Sequence, residues 1–142
     1  MDAVTPKDKL PIGDLGTSVV HAAPDGSDFK PGLREYFEYR DTGMMEATNG
    51  NFAAHVIRVV PSKIADFKPQ WNNHEISFLM FYVLKGWVDF EYEDVGVVRM
   101  NVGSTVYQPD RIRHRQVECS DDFEVLEIVS PGSFATNLME DD

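Results

Sequence analysis

W-N-N-H-E-I-S-F-L-M-F-Y-V-L-K-G (71–86) and G-S-T-V-Y-Q-P-D-R-I-R-H (103–114) are the two stretches whose reading decides the fold. The first carries His74 near its start, runs through the apolar segment 78–84 and turns at Lys85-Gly86. The second opens at Gly103, turns around Pro109 and ends on His114. Sixteen residues separate Gly86 from Gly103, enough for two strands and their turn. Asn72 and His74 are two apart, so on a strand their side chains share a face. The reading is a small β-barrel in which His74 and His114 meet and line a pocket.

Outward from these stretches the chain alternates like strands. V-D-F-E-Y-E (88–93) puts Val88, Phe90 and Tyr92 on one face and Asp89, Glu91 and Glu93 on the other, the pattern of an antiparallel strand with one wet face. Segment 78–84 is apolar on both parities and is expected to be covered on both faces. Residues 52–60 form a strand with His55, Ile57 and Val59 on one face and Val56, Arg58 and Val60 on the other. Further strands are expected at 35–40, 97–100, 104–108, 113–118 and 123–129, and Asn49-Gly50 is the best two-residue hairpin turn. No window keeps an apolar period of 3.6, so long helices are not expected. The expected fold is all-β, a closed barrel or a double-sheet jelly roll.

Three parts are expected: an irregular N-terminal arm over 1–34, broken by Pro6, Pro11, Pro24 and Pro31; a barrel domain over 35–135; and an acidic tip over 136–142. Of 142 residues 24 are acidic and 13 basic, a formal charge of −11 that repels phosphate backbones and anionic membranes, so neither nucleic acid nor a membrane is an expected partner. Cys119 is the only cysteine, which excludes an internal disulfide and a cysteine zinc cluster. No run approaches the roughly 18 apolar residues of a membrane span, and the charged start M-D-A-V-T-P-K-D-K-L lacks a signal-peptide core. Cytoplasmic location is the default expectation. A second copy of the chain is the expected protein partner, as a homodimer covering the outer face of 78–84.

The residues also resemble a family, the cupins. Its motifs read G-x5-H-x-H-x(3,4)-E-x6-G and G-x5-P-x-G-x2-H-x3-N, and His74, Gly86, Gly103, Pro109 and His114 fall on motif positions. The phrases Y-V-L-K-G-W-V (82–88) and Q-P-D-R-I-R-H (108–114) look like those of small single-domain bacterial cupins. The resemblance implies a jelly-roll β-barrel of two antiparallel sheets and a pocket holding a divalent transition metal (Ni, Zn, Fe or Mn) on two histidines, a glutamate and a third histidine. Here Asn72 stands for the first histidine and Leu79 for the glutamate, leaving His74 and His114 with Asn72 as a weak third donor. The second-motif glycine is Arg111, so a bulky side chain stands at a positive-φ position or the turn differs.

The candidate pocket is therefore His74, His114, Asn72, Leu79, Gln108 and Arg111. Bland readings stand beside it: the histidines bonded to each other or to water without metal, Gln108 as a solvated strand end, and His21 as a surface residue of the arm. Trp71, Tyr82, Trp87 and Tyr107 read as core or interface aromatics, Glu91 and Glu93 as solvated. Two function classes follow. One is a metal-assisted enzyme (isomerase, lyase or dioxygenase type) on a small organic substrate, with the incomplete ligand set speaking against the oxygenase end. The other is a non-catalytic pocket that binds or senses a small molecule.

Overall fold

The computed structural model describes residues 28–32 and 34–140; most of the arm expected over 1–34, His21 included, lies outside them. Eleven strands are described: β1 (Lys30–Pro31), β2 (Phe37–Asp41), β3 (Ala53–Val59), β4 (Asn72–Glu75), β5 (Phe78–Lys85), β6 (Trp87–Tyr92), β7 (Gly96–Asn101), β8 (Thr105–Tyr107), β9 (His114–Cys119), β10 (Glu124–Ser130) and β11 (Ala135–Leu138). They form two antiparallel sheets, ordered β1-β2-β3-β10-β5-β8 and β11-β4-β9-β6-β7. The sheets face each other without closing into one continuous ladder. This is the two-sheet jelly roll, one of the two architectures that the alternation allows and the one that the resemblance implies. The described helices are one turn each, α1 (Met44–Ala47) and a 3₁₀ turn at Ile64–Asp66, and none is long and apolar enough to cross a membrane.

The core lies between the sheets. Val88 and Tyr92 of β6 and Leu79, Phe81 and Val83 of β5 are buried there with Val59, Val125 and Val129. The expected alternation of β6 and of β3 holds, Ile57 and Val59 turning inward while Arg58 pairs outside with Glu38 at 2.8 Å. The turn between β5 and β6 needs its glycine twice over. Gly86 has φ 67°, and a Cβ there would overlap the Ser120 side chain, whose Oγ accepts from the Trp87 N–H at 2.9 Å.

Three expectations change. Segment 78–84 is covered on one face only: Phe78, Tyr82 and Leu84 are 36–41% exposed, because β5 lies in a sheet whose outer face no described element of the chain overlays. Asn49-Gly50 does not make a two-residue hairpin. Both residues are left-handed, and the Gly50 N–H donates to the Met45 carbonyl at 2.9 Å, so the pair closes α1 instead. The boundary at 135/136 falls inside β11, whose residues Ala135–Leu138 pair with Glu75–Asn72 of β4 and extend the sheet to Leu138.

Candidate functional site

Between the sheets lies a cavity of about 170 Å³. Its first wall comes from the five-stranded sheet. Asn72 on β4 and His114 on β9 are cross-strand partners, and β6 sets Tyr92 beside His114. His74 follows two residues after Asn72 and faces the same way, so the two imidazoles meet with ring centroids 5.0 Å apart. Each ring is oriented by its own partner. His114 Nδ1 lies 2.9 Å from the Ile112 carbonyl, which can only accept, so Nδ1 carries the proton and the other ring nitrogen is a bare acceptor. His74 Nδ1 lies 2.9 Å from Thr136 Oγ1 on β11, its cross-strand partner. Phe134 meets the His74 ring edge-on at 5.3 Å.

Burial, the neighbouring His114 and the Arg34 cation lower the pKa of His74 to about 4. Burial likewise lowers that of His114, against its bond to Ile112, so both rings are neutral at pH 7. Asn72 is buried, its amide N–H₂ donating to the carbonyls of Gln70 (3.0 Å) and His114 (3.3 Å), which leaves its side-chain oxygen uncommitted among the described residues. Gln108, 3% exposed, donates to the Tyr92 hydroxyl at 2.7 Å, and burial pushes that phenol up to about 12.

The opposite wall comes from the six-stranded sheet: Phe37 and Tyr39 of β2, Ile57 of β3, Phe81 of β5, and Val125 and Glu127 of β10. Phe90, Phe123, Gln116 and Arg34 complete the lining. Glu127 is absent from the sequence candidates. The residue is partly exposed along the cavity, and desolvation pushes its carboxyl up to about 7.

Of the six candidate pocket residues, Asn72, His74, Gln108 and His114 line this cavity. Leu79 and Arg111 do not. Leu79 points inward but is 1% exposed, packed into the core one inward step along β5 from Phe81, which takes the lining position. Arg111 keeps the left-handed turn of the motif glycine, with φ 62°, and its N–H donates to the His74 carbonyl at 2.8 Å. Its side chain lies outside, on Glu75 (3.0 Å) and Asp110 (3.3 Å), because a guanidinium finds full hydration and two carboxylates there. Cys119 is partly buried and its thiol is pushed up to about 12 by burial, which keeps it protonated and unreactive.

The donor set answers whether a metal fits. His114 has the tethered ring expected of a ligand, and two neutral imidazoles converge. Among the described residues, however, no three His, Cys, Asp or Glu side chains come together around one point. Two imidazoles and one amide oxygen do not fit a firmly resident transition metal, which takes three or more strong donors.

Comparison with known proteins gives the fold. No protein-family model matches the chain, and the search of curated proteins finds no match. Solved structures do match. KdgF from Halomonas sp. is 18% identical with TM-score 0.61, over 78% of this chain and 94% of that one. An RmlC-like cupin from Shewanella frigidimarina is 13% identical with TM-score 0.60, over 81% and 93%. A single-residue variant of Streptomyces PAC13, with uridine, is 12% identical with TM-score 0.57, over 79% and 85%. The chain has the cupin fold.

Proposed function

We propose that this chain is an enzyme that holds a small organic molecule between its two sheets and works on it by proton transfer, in the manner of an isomerase or lyase. The observation that carries the reading is the pair of neutral imidazoles, each held by its own partner, on one wall of a cavity whose other wall is largely aromatic and aliphatic. Such a site orients a polar group at one end and buries an apolar or ring-shaped body at the other. Its volume of about 170 Å³ suits a compact ring, since a cavity of roughly 150 Å³ takes up benzene. PAC13, with uridine, offers a fold-level analogy for a ring ligand.

A divalent ion (Ni, Zn, Fe or Mn) on His74, His114 and the Asn72 oxygen would be loosely held and no part of the reaction. Elemental analysis of the purified protein, paired with an NMR screen of small ring compounds, tests the reading. Expected are metal well below one equivalent, removable by chelator, and ligand-induced shifts at His74, His114 and Phe90. Tight stoichiometric metal, or no compound that shifts these signals, would overturn it.

As part of the same reading the chain pairs as a two-fold homodimer. Phe78 and Tyr107 stack at 5.8 Å on the outer face of the six-stranded sheet, beside exposed Tyr82 and Leu84. Sedimentation at micromolar concentration should give a dimer, and Tyr82→Glu a monomer; a wild-type monomer would contradict this.

A further inference from the structure

We infer that Glu127 is the catalytic acid–base residue of this cavity, taking a proton from a carbon next to the carbonyl group of a bound small molecule. The inference deepens the proton-transfer reading above and rests on it.

Glu127 sits in the middle of β10, the strand flanked by β3 and β5, with His55 and Phe81 as its cross-strand partners. The inner residues two places away on either side are Val125 and Val129, both buried. Among the described residues its carboxyl has no hydrogen bond and no ion pair, yet it lines the cavity. A carboxyl kept for structure is normally paired, because an unpaired one in an apolar wall costs stability. An unpaired one on a ligand cavity marks a working group. Burial leaves it near half-ionised at neutral pH, so it can both take and return a proton.

The opposite wall supplies the other half. Gln116 lines the cavity, and its Nε2 is a buried donor with no acceptor among the described residues. An orphaned donor is satisfied once a bound group brings an oxygen. A carbonyl compound fits both groups, its oxygen toward Gln116 and its acidic C–H toward Glu127. The groups that face Glu127 are Tyr39 from β2, His55 from β3, and Arg34, His74 and His114 around the cavity; Phe81 from β5 carries no charge.

The step balances without a cofactor. The Glu127 carboxylate takes the proton, the C–H electron pair becomes a C=C bond, and the carbonyl π pair moves onto oxygen, where the Gln116 amide N–H holds it. In isomerisation the α-hydroxyl proton passes to the enolate oxygen, that hydroxyl's carbon becomes the new carbonyl and Glu127 returns its proton to the former carbonyl carbon. In elimination Glu127 gives the proton to a β-hydroxyl that leaves as water while the carbonyl reforms. The substrate class is a small carbonyl compound carrying an α C–H, with a hydroxyl on a neighbouring carbon.

The test uses the full chain, wild type and Glu127→Gln, in D₂O with dihydroxyacetone, glyceraldehyde or hydroxyacetone, following loss of the α C–H signal by proton NMR. Wild type should accelerate exchange of at least one probe, and Glu127→Gln should be slower by about 100-fold or more, with Glu127→Asp partly restoring the rate. Thermal melts run alongside: Glu127→Gln should be at least as stable as wild type at pH 7. Exchange at the wild-type rate in Glu127→Gln overturns the inference. So does a loss of stability in both variants, which would make the carboxyl structural. Probes that shift cavity signals without exchanging in wild type overturn the inference and leave the pocket reading standing. Probes that do neither overturn both for this substrate class.

Discussion

On one side of the cavity Asn72, His74 and His114 are each tied to a backbone carbonyl or a hydroxyl. On the other side Tyr39, Ile57, Phe81 and Val125 surround a single carboxyl, Glu127, without a hydrogen-bond partner among the described residues. Burial acts on both walls and moves their groups in opposite senses, the imidazole of His74 down to about 4 and the carboxyl of Glu127 up to about 7. In each case the neutral form is the one that desolvation favours. Two groups whose ordinary order of acidity is reversed thus face one ligand space, and such a reversal is how acid–base roles are assigned in a site.

The largest effect should come from the residue that separates lining from core. Leu79→Ala should cost about 2–5 kcal/mol in denaturant unfolding, since Leu79 is fully packed. Ligand-induced shifts at His74 should survive in the folded fraction. Their loss at unchanged stability would return Leu79 to the pocket.

Next is the carboxyl wall. The folded-state value of Glu127 lies above the ordinary 4.5. The folded protein therefore holds its proton longer than the unfolded chain, and stability is lost as pH rises from about 4.5 through 7. Glu127→Gln should remove that loss. Its advantage over wild type should grow across this window to on the order of 3 kcal/mol and then level off. A constant difference at all pH values would mean the carboxyl is not buried unpaired.

The histidine wall should show the opposite slope, on a ring that is partly buried as Glu127 is. Its unfolded value is 6.5 and its folded value about 4, so the unfolded chain binds the proton first and stability falls as pH drops from 6.5 toward 4. In His74→Gln that part of the slope should vanish. Identical profiles for variant and wild type between pH 4 and 6.5 would show that the ring is not held neutral.

The two walls also differ in how much of them the sequence reveals. The alternation of 88–93 and the glycine turns make the sheet architecture readable, because one wet face and one dry face leave a period of two. His74 and His114 are readable because imidazoles at motif spacing are rare and distinctive. Glu127 is hidden by its strand: in F-E-V-L-E-I-V (123–129) both parities carry one glutamate and apolar neighbours, so alternation alone does not say which faces in. Pairing with β3 and β5 decides it, and those contacts reach across some forty to seventy residues. Thr136, which orients His74, falls in the expected acidic tip for the same reason: a four-residue edge strand, all exposed, has no apolar pattern to announce it. Leu79 illustrates the reverse error. Motif spacing puts it at a ligand position, whereas packing puts Phe81 on the cavity.

The most direct measurement is a carbon-13 NMR titration of the Glu127 side-chain carboxyl, assigned by comparison with Glu127→Gln. A midpoint near 7 is expected if an unpaired carboxyl faces neutral imidazoles across the cavity. A midpoint near the ordinary 4.5 would contradict the reversed acidities on which the proton-transfer reading stands.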